Sequence, residues 1–518
     1  MLQIRHLTIR HKKDYRVLLK DFNLNIHQGD KCALIGEEGN GKSTLLKLIY
    51  NPDLVDEYAE YEGEILHTGE RFGYLPQELP RDQQESTIYE YLTQADGFYD
   101  KNPGEVTMLC KKVGFPAERL YSDEPLRVLS GGEKIKVQLI RVLIEEPTIF
   151  LFDEPSNDLD IETLTWMENF IRESRIPVLY ISHDETLLER TANMLIHIEQ
   201  LRHKTEPRCS VVSMSYRDYI TTRGLQFEKQ EQIAKNERRE YQKQQEKFRQ
   251  IQQKVEHQQN VISRGDPHGA KLLKKSMHRV KAYEARFKKE FEQMTQRPEY
   301  EEAMFTKFGN EAFIPNGKVV LDFTLRELCI PGDGDGSTSL VLSRNVKLFV
   351  QGPEHICIVG KNGCGKTTLM RLLAKELLQR TDLKAAYMPQ NYEEFLDMEQ
   401  TAIEFLSDGS KESISKIRTY LGSMRFTAEE MTHPIKELSG GQRAKVMLLY
   451  LDTSGCDVLL LDEPSRNFSP LSNPVIRELL RDYRGVIISV SHDRKYIAEV
   501  CEKVYELTGE GVVERVVK

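Results

Sequence analysis

A chain of 518 residues is too long for a single hydrophobic core and calls for two to four domains. Its net charge of −9 is uneven: residues 216–298 carry 20 Lys/Arg against 11 Asp/Glu, so the rest of the chain carries −18 and only that stretch suits a polyanion. The eight cysteines include no C-x-x-C pair, which argues against zinc sites and a disulfide framework; no run approaches the roughly 18 apolar residues of a membrane span, and the charged, alternating start MLQIRHLTIRHKK is no secretory leader, so a soluble, cytoplasmic protein with mostly buried, reduced thiols is expected.

The predicted elements begin with short apolar-rich strands. Lys31-Cys32-Ala33-Leu34-Ile35 runs into Gly36-Glu37-Glu38-Gly39-Asn40-Gly41-Lys42-Ser43, a match to G-x-x-x-x-G-K-[ST], and a helix from Lys42 to Ile49, through Thr44, leaves it. In that setting backbone N–H groups converge on phosphates, Lys42 reaches the β/γ oxygens and the Ser43 hydroxyl meets Mg²⁺. Gln77, in Gly-Tyr-Leu-Pro-Gln, offers an amide that could sense the metal and its water. After the tetrad Leu129-Ser130-Gly131-Gly132, the apolar run Ile149-Phe150-Leu151-Phe152 ends in Asp153-Glu154, as a buried parallel strand delivering carboxylates would. Asp153 would hold the metal through its shell, and Glu154 would orient or deprotonate the attacking water. His183, in Ser-His-Asp, follows another strand; consecutive residues cannot form a hydrolase triad, so it reads as a γ-phosphate contact.

A Gln-, Lys- and Glu-rich connector follows. Phe227, Ala234, Tyr241, Phe248, Val255 and Ile262 recur every seven residues, and after the break 263–269 so do Leu273, Val280, Phe287 and Met294, supported by Met277 and Phe291. Two long antiparallel helices with a short tip are expected, the first reaching on the order of 55 Å. Between Arg264 and Lys289 nine basic residues face only Asp266 and Glu284, a density suited to RNA; a charged spacer is the alternative.

The motif set then repeats. Ile356-Cys357-Ile358-Val359 leads into Gly360-Lys361-Asn362-Gly363-Cys364-Gly365-Lys366-Thr367, with Thr368 next; Gln390, Leu438-Ser439-Gly440-Gly441, Asp462-Glu463 and His492 follow in the same order. Ser130 to Asp153 and Ser439 to Asp462 both span 23 residues, and Glu154 to His183 and Glu463 to His492 both span 29. The expected fold is α/β with two P-loop domains, at 1–215 and 299–518, joined by a helical hairpin at 216–298; 299–315 is a short linking segment.

These motifs resemble those of ATP-binding cassette proteins over essentially the whole chain, and tandem cassettes with a basic helical connector and no membrane domain resemble the ABC-F group. The resemblance implies a monomer whose cassettes close head to tail on two ATP with Mg²⁺. Ser130, Gly131 and Gly132 would cover ATP at Lys366, and Ser439, Gly440 and Gly441 would cover ATP at Lys42. It also implies an ATPase acting on the ribosome and its RNA, with transfer RNA an optional further partner, either as a translation factor or in antibiotic resistance. Tyr15 stands where the family often stacks adenine, whereas the same offset before Gly360 gives Ser339; Ser469 replaces the closing residue Asp160 of the first D-loop, so unequal sites are expected. A transporter ATPase would need a separate membrane chain, and a DNA-associated ATPase would bring zinc-binding cysteine pairs or a far longer coiled coil.

Overall fold

The computed structural model describes residues 2–67, 69–157, 159–201, 206–261, 313–330, 340–409 and 412–515, with scattered positions between 275 and 295. The expectations for Ile262, the tip 263–269, Lys271, Leu273, Lys274, Met277, Arg279, Lys281, Lys288, Ser339 and most of 299–315 lie outside these residues. The chain divides into two compact units, Met1–Tyr216 with Glu301–Lys518, and Arg217–Tyr300.

Each half of the first unit builds the same six-stranded sheet. The amino-terminal half orders its strands Phe72–Leu75, Ile149–Asp153, Val178–Ile181, Lys31–Ile35, Met194–Leu201 and Glu206–Val212. The carboxyl-terminal half repeats the order with Ala385–Met388, Val458–Asp462, Val486–Val490, His355–Val359, Lys503–Thr508 and Gly511–Arg515. All pairings are parallel except the last in each sheet. The central strands are buried along their whole length, which is why they read as continuous apolar runs. Because the strands ending at Asp153, Ile181 and Ile35 are neighbours, the carboxylate pair, His183 and the glycine loop leave adjacent carboxyl ends. An antiparallel layer, Val17–Ile26, Leu2–His11 and Ala59–His67, packs its apolar face into the first core, and Val319–Ile330 with Leu340–Gln351 does so in the second.

The helices that leave the glycine loops run Lys42–Tyr50 and Lys366–Leu378; their N-caps, Gly41 and Gly365, sit at φ 90° and 100°, a left-handed conformation that only glycine adopts cheaply. The tetrad serines cap two further helices, Gly131–Ile144 and Gly440–Thr453. In each the serine side chain accepts from the third residue's amide, and that residue, Glu133 or Gln442, reaches back to the serine amide. The tetrad is thus also a capping box, S-x-x-[EQ].

In the second unit the helix Tyr216–Val261 continues the chain. The returning segment meets it in reverse order: Glu237 accepts from the Thr295 amide at 2.7 Å, and the heptad residues Tyr241 and Phe248 lie 5.4 Å from Phe291 and 5.4 Å from Phe287. All eight cysteines are free, five of them buried. No helix among the described residues is long and apolar enough to cross a membrane.

Candidate active site

The two glycine loops hold their lysines alike. Lys42 Nζ donates to the carbonyls of Gly36 and Glu37 at 2.9 Å, and Lys366 Nζ to those of Gly360 and Lys361 at 2.9 and 3.0 Å. Gly36 has no room for a side chain, since a β carbon would stand 2.2 Å from the Ile198 carbonyl oxygen. Asn40 fixes the first loop by donating to that same carbonyl at 3.0 Å.

Beside the first loop, Ser43 Oγ donates to Asp153 Oδ1 at 2.9 Å, and the Tyr74 hydroxyl reaches Oδ2 at 3.4 Å. Burial raises Asp153 to about 6 despite the Ser43 bond. In the second cassette neither oxygen of buried Asp462 makes a well-formed hydrogen bond among the described residues, although Thr367 lies close enough to oppose the upward pull of burial. A hydroxyl next to a desolvated carboxylate in each cassette fits Mg²⁺. No cluster of three or more His, Cys, Asp or Glu among the described residues could hold a metal, and this ion is ordinarily held by one or two carboxylates together with substrate phosphates.

Glu154 and Glu463 both adopt left-handed backbone, at φ 52° and 55°. That strain costs on the order of 1–3 kcal/mol each and recurs at the same place in both cassettes, as strain retained for function would. Their surroundings differ. Glu154 takes donors from Asn157 Nδ2 at 2.5 Å and Gln77 Nε2 at 3.0 Å and lies 3.2 Å from His183 Nε2. Burial pushes it up, but His183, Lys42 and Asn157 outweigh this and hold it at about 2. Glu463 has the His492 amide at 3.3 Å, and burial beside Asp462 raises it to about 8. His183 Nδ1 donates to the Phe468 carbonyl of the other cassette at 2.8 Å, whereas buried His492 Nδ1 has no such partner among the described residues, and burial, with Lys366, lowers its pKa to about 4.

Each loop faces the other cassette's tetrad. Lys366, Thr367, Thr368, Asn362, Gln390 and Asp462 line a cleft of about 890 Å³ with Ser130, Gly131 and Gln77 of the first cassette. At the first loop, by contrast, Glu38 accepts a hydrogen bond from the Gly441 amide, Glu37 is paired with Lys445 at 3.0 Å, and a pocket of about 20 Å³ remains. Asp160 lies below its usual range because the amides of Thr163 and Asn362 outweigh burial, so this D-loop reaches the second glycine loop. Ser469 instead bonds locally, its Oγ 3.0 Å from Ser472 Oγ. Tyr15 stands 75% exposed in the turn before Val17–Ile26. Asn157 and Lys445 also belong to the site; Asn157's position three residues after Glu154 is a signal in the sequence, whereas nothing there marks Lys445.

The ABC transporter family profile matches residues 19–157 and 343–466. The chain is 26% identical to the ribosome protection protein VmlR of Bacillus subtilis (strain 168), over 96% of this chain and 85% of that protein. It is 24% identical to ABC transporter F family member 5 of Arabidopsis thaliana, over 96% of this chain and 74% of that protein. Among solved structures it resembles the archaeal ribosome recycling factor aABCE1, crystallised with the stalk protein aP1, with a TM-score of 0.59, 20% identity, and 98% and 89% of the two chains covered.

Proposed function

This chain belongs to the ABC transporter family, as a tandem-cassette ABC-F protein and an ATPase, and on that premise we propose that ATP bound between its cassettes drives its engagement with the ribosome, the connector 216–298 lying along ribosomal RNA. The observation that carries the reading is the shared cleft, with Lys366 and Thr367 on one wall and Ser130 and Gly131 on the other. A nucleotide held by the loop residues 360–368 would also meet the tetrad amides, so binding energy would go into closure. The first site is its counterpart, built from residues 36–44, with Tyr15 toward the base and Ser439, Gly440 and Gly441 opposite.

Ser43 with Asp153, and Thr367 with Asp462, would hold Mg²⁺, Gln77 and Gln390 standing beside them. The ion supplies charge neutralisation of the phosphates. Glu154 and Glu463 orient water and accept its proton, and His183 and His492 face the terminal phosphate. In the first site Asn157 and Gln77 hold the carboxylate toward the water.

The ribosomal partner is supported by the excess of 20 Lys/Arg over 11 Asp/Glu in 216–298 of an otherwise acidic chain and by the similarity to VmlR, a ribosome protection protein. A translation-factor role and protection against antibiotics are both compatible with it, and both place the protein in the cytoplasm. The test is sedimentation of the Glu154→Gln/Glu463→Gln protein with ribosomes through a sucrose gradient. Comigration that requires ATP is expected; ATP-independent absence from the ribosomal fractions would overturn the ribosomal reading.

A further inference from the structure

We propose that Glu38 is an intramolecular competitor for nucleotide at the first site, occupying the tetrad amides that a terminal phosphate would need, so that the second site fills first. The inference rests on the reading of the glycine loops as ATP sites.

Glu38 and Glu37 hold the positions that Asn362 and Lys361 hold in the second loop. The Glu38 carboxylate accepts from the Gly441 amide, and a β carbon built on Gly440 would stand 3.1 and 3.2 Å from its two oxygens, so the group packs against both tetrad glycines. These residues open the 14-residue helix Gly440–Thr453, whose first amides have no intrahelical acceptor and whose dipole favours an anion. Glu37 anchors the loop to the same helix through Lys445, the two side chains being 17% and 10% exposed. A carboxylate on an amide at a helix N-terminus is what a phosphate oxygen offers, so the two ligands exclude each other there. The carboxylate's charge also opposes an arriving phosphate, which adds to the competition.

The second loop lacks both features. Lys361 makes an ion pair of 3.4 Å with Glu162 at the exposed rim, and the tetrad face of that cleft, at Ser130 and Gly131, stays open over about 890 Å³. The duplicated architecture therefore serves as its own control. The same fold carries an acidic loop clasped to its tetrad on one side and a neutral-to-basic loop facing an open tetrad on the other.

The experiment uses the full chain with Lys366→Ala, so that a fluorescent ATP analogue reports the first site. Adding Glu38→Asn, which gives the first loop the residue of the second, is expected to tighten binding by about tenfold, the scale of one charge-assisted hydrogen bond. Amide hydrogen exchange at Gly441, measured without nucleotide, is expected to speed up in the same variant. Lys445→Met, which releases Glu37 without touching the glycine loop, is expected to shift affinity in the same direction by less. Unchanged affinity together with unchanged Gly441 protection in Glu38→Asn would overturn the competitor. Analogue binding that survives Lys42→Ala in the Lys366→Ala background would instead overturn the reading of the loop itself.

Discussion

Arg477 of the second cassette grips Glu185 of the first, Nη1 standing 2.5 Å from Oε1 and Nη2 3.3 Å from Oε2, with the two side chains only 4% and 5% exposed. Glu185 also takes Lys495 at 3.0 Å, Lys495 reaches Glu189 at 2.6 Å, and Arg494 pairs with Glu168. Each of these pairs across the seam joins an acid of the first cassette to a base of the second, while Arg477 also holds Glu499 and Glu168 also holds Arg190 within their own cassettes. A pairing of one cassette with a copy of itself would set like charges together, so the seam favours pairing of unlike cassettes.

Breaking this pair should be costly, because buried Arg477 would keep only Glu499 of its own cassette, 2.8 Å from its Nε, and would leave its Nη groups without an acid. Glu185→Gln is expected to destabilise the first unit by about 1–3 kcal/mol, read as a shift in denaturant unfolding. A loss under about 1 kcal/mol, the worth of an exposed pair, would show that the seam opens to water.

The two carboxylates after the Asp strands should contribute unequally. Glu154 is positioned by Asn157, Gln77 and His183, whereas Glu463 has the His492 amide. Glu154→Gln is expected to lower ATP turnover by about 10²-fold or more, and Glu463→Gln by less. Equal losses in steady-state phosphate release would remove the asymmetry.

Asn157 itself should matter through Glu154. Asn157→Ala is expected to reduce turnover by about fivefold while nucleotide affinity stays within about twofold, since the lost bond, of roughly one kcal/mol, positions the water rather than the phosphates. A change confined to affinity would place Asn157 in binding instead.

The connector prediction rests on charge. Changing Lys271, Lys274 and Lys275 to Glu is expected to weaken ribosome binding and flatten its dependence on salt by a slope of about 2–3, leaving ATP binding intact. An unchanged affinity and slope would make the basic cluster a spacer surface.

What the sequence made legible was local or periodic. The glycine loops, the strand ending at Asp153 and the heptads of the connector each announce themselves within a few residues, and duplication makes each reading checkable against its copy. The capping box within the tetrad was equally local, yet the stronger motif at the same residues hid it. Contacts between distant charges were not legible. Glu38 and Gly441 are separated by 403 positions, and Arg477 and Glu185 by 292. Only the packing of one cassette on the other decides which acid meets which base. The unequal surroundings of Glu154 and Glu463 were foreshadowed by Ser469, but their cause lies in Asn157, for which the second cassette has Arg466.

Closure of each glycine loop on the other cassette's tetrad over ATP sets how many nucleotides one chain can retain. It is tested most directly by counting nucleotides retained by the Glu154→Gln/Glu463→Gln protein after gel filtration, with and without Ser130→Arg. Two ATP per chain are expected, and one per chain once Ser130→Arg blocks the wall opposite Lys366. Retention of two ATP in both proteins would contradict it, because the Lys366 site would then hold its nucleotide without the first cassette's tetrad.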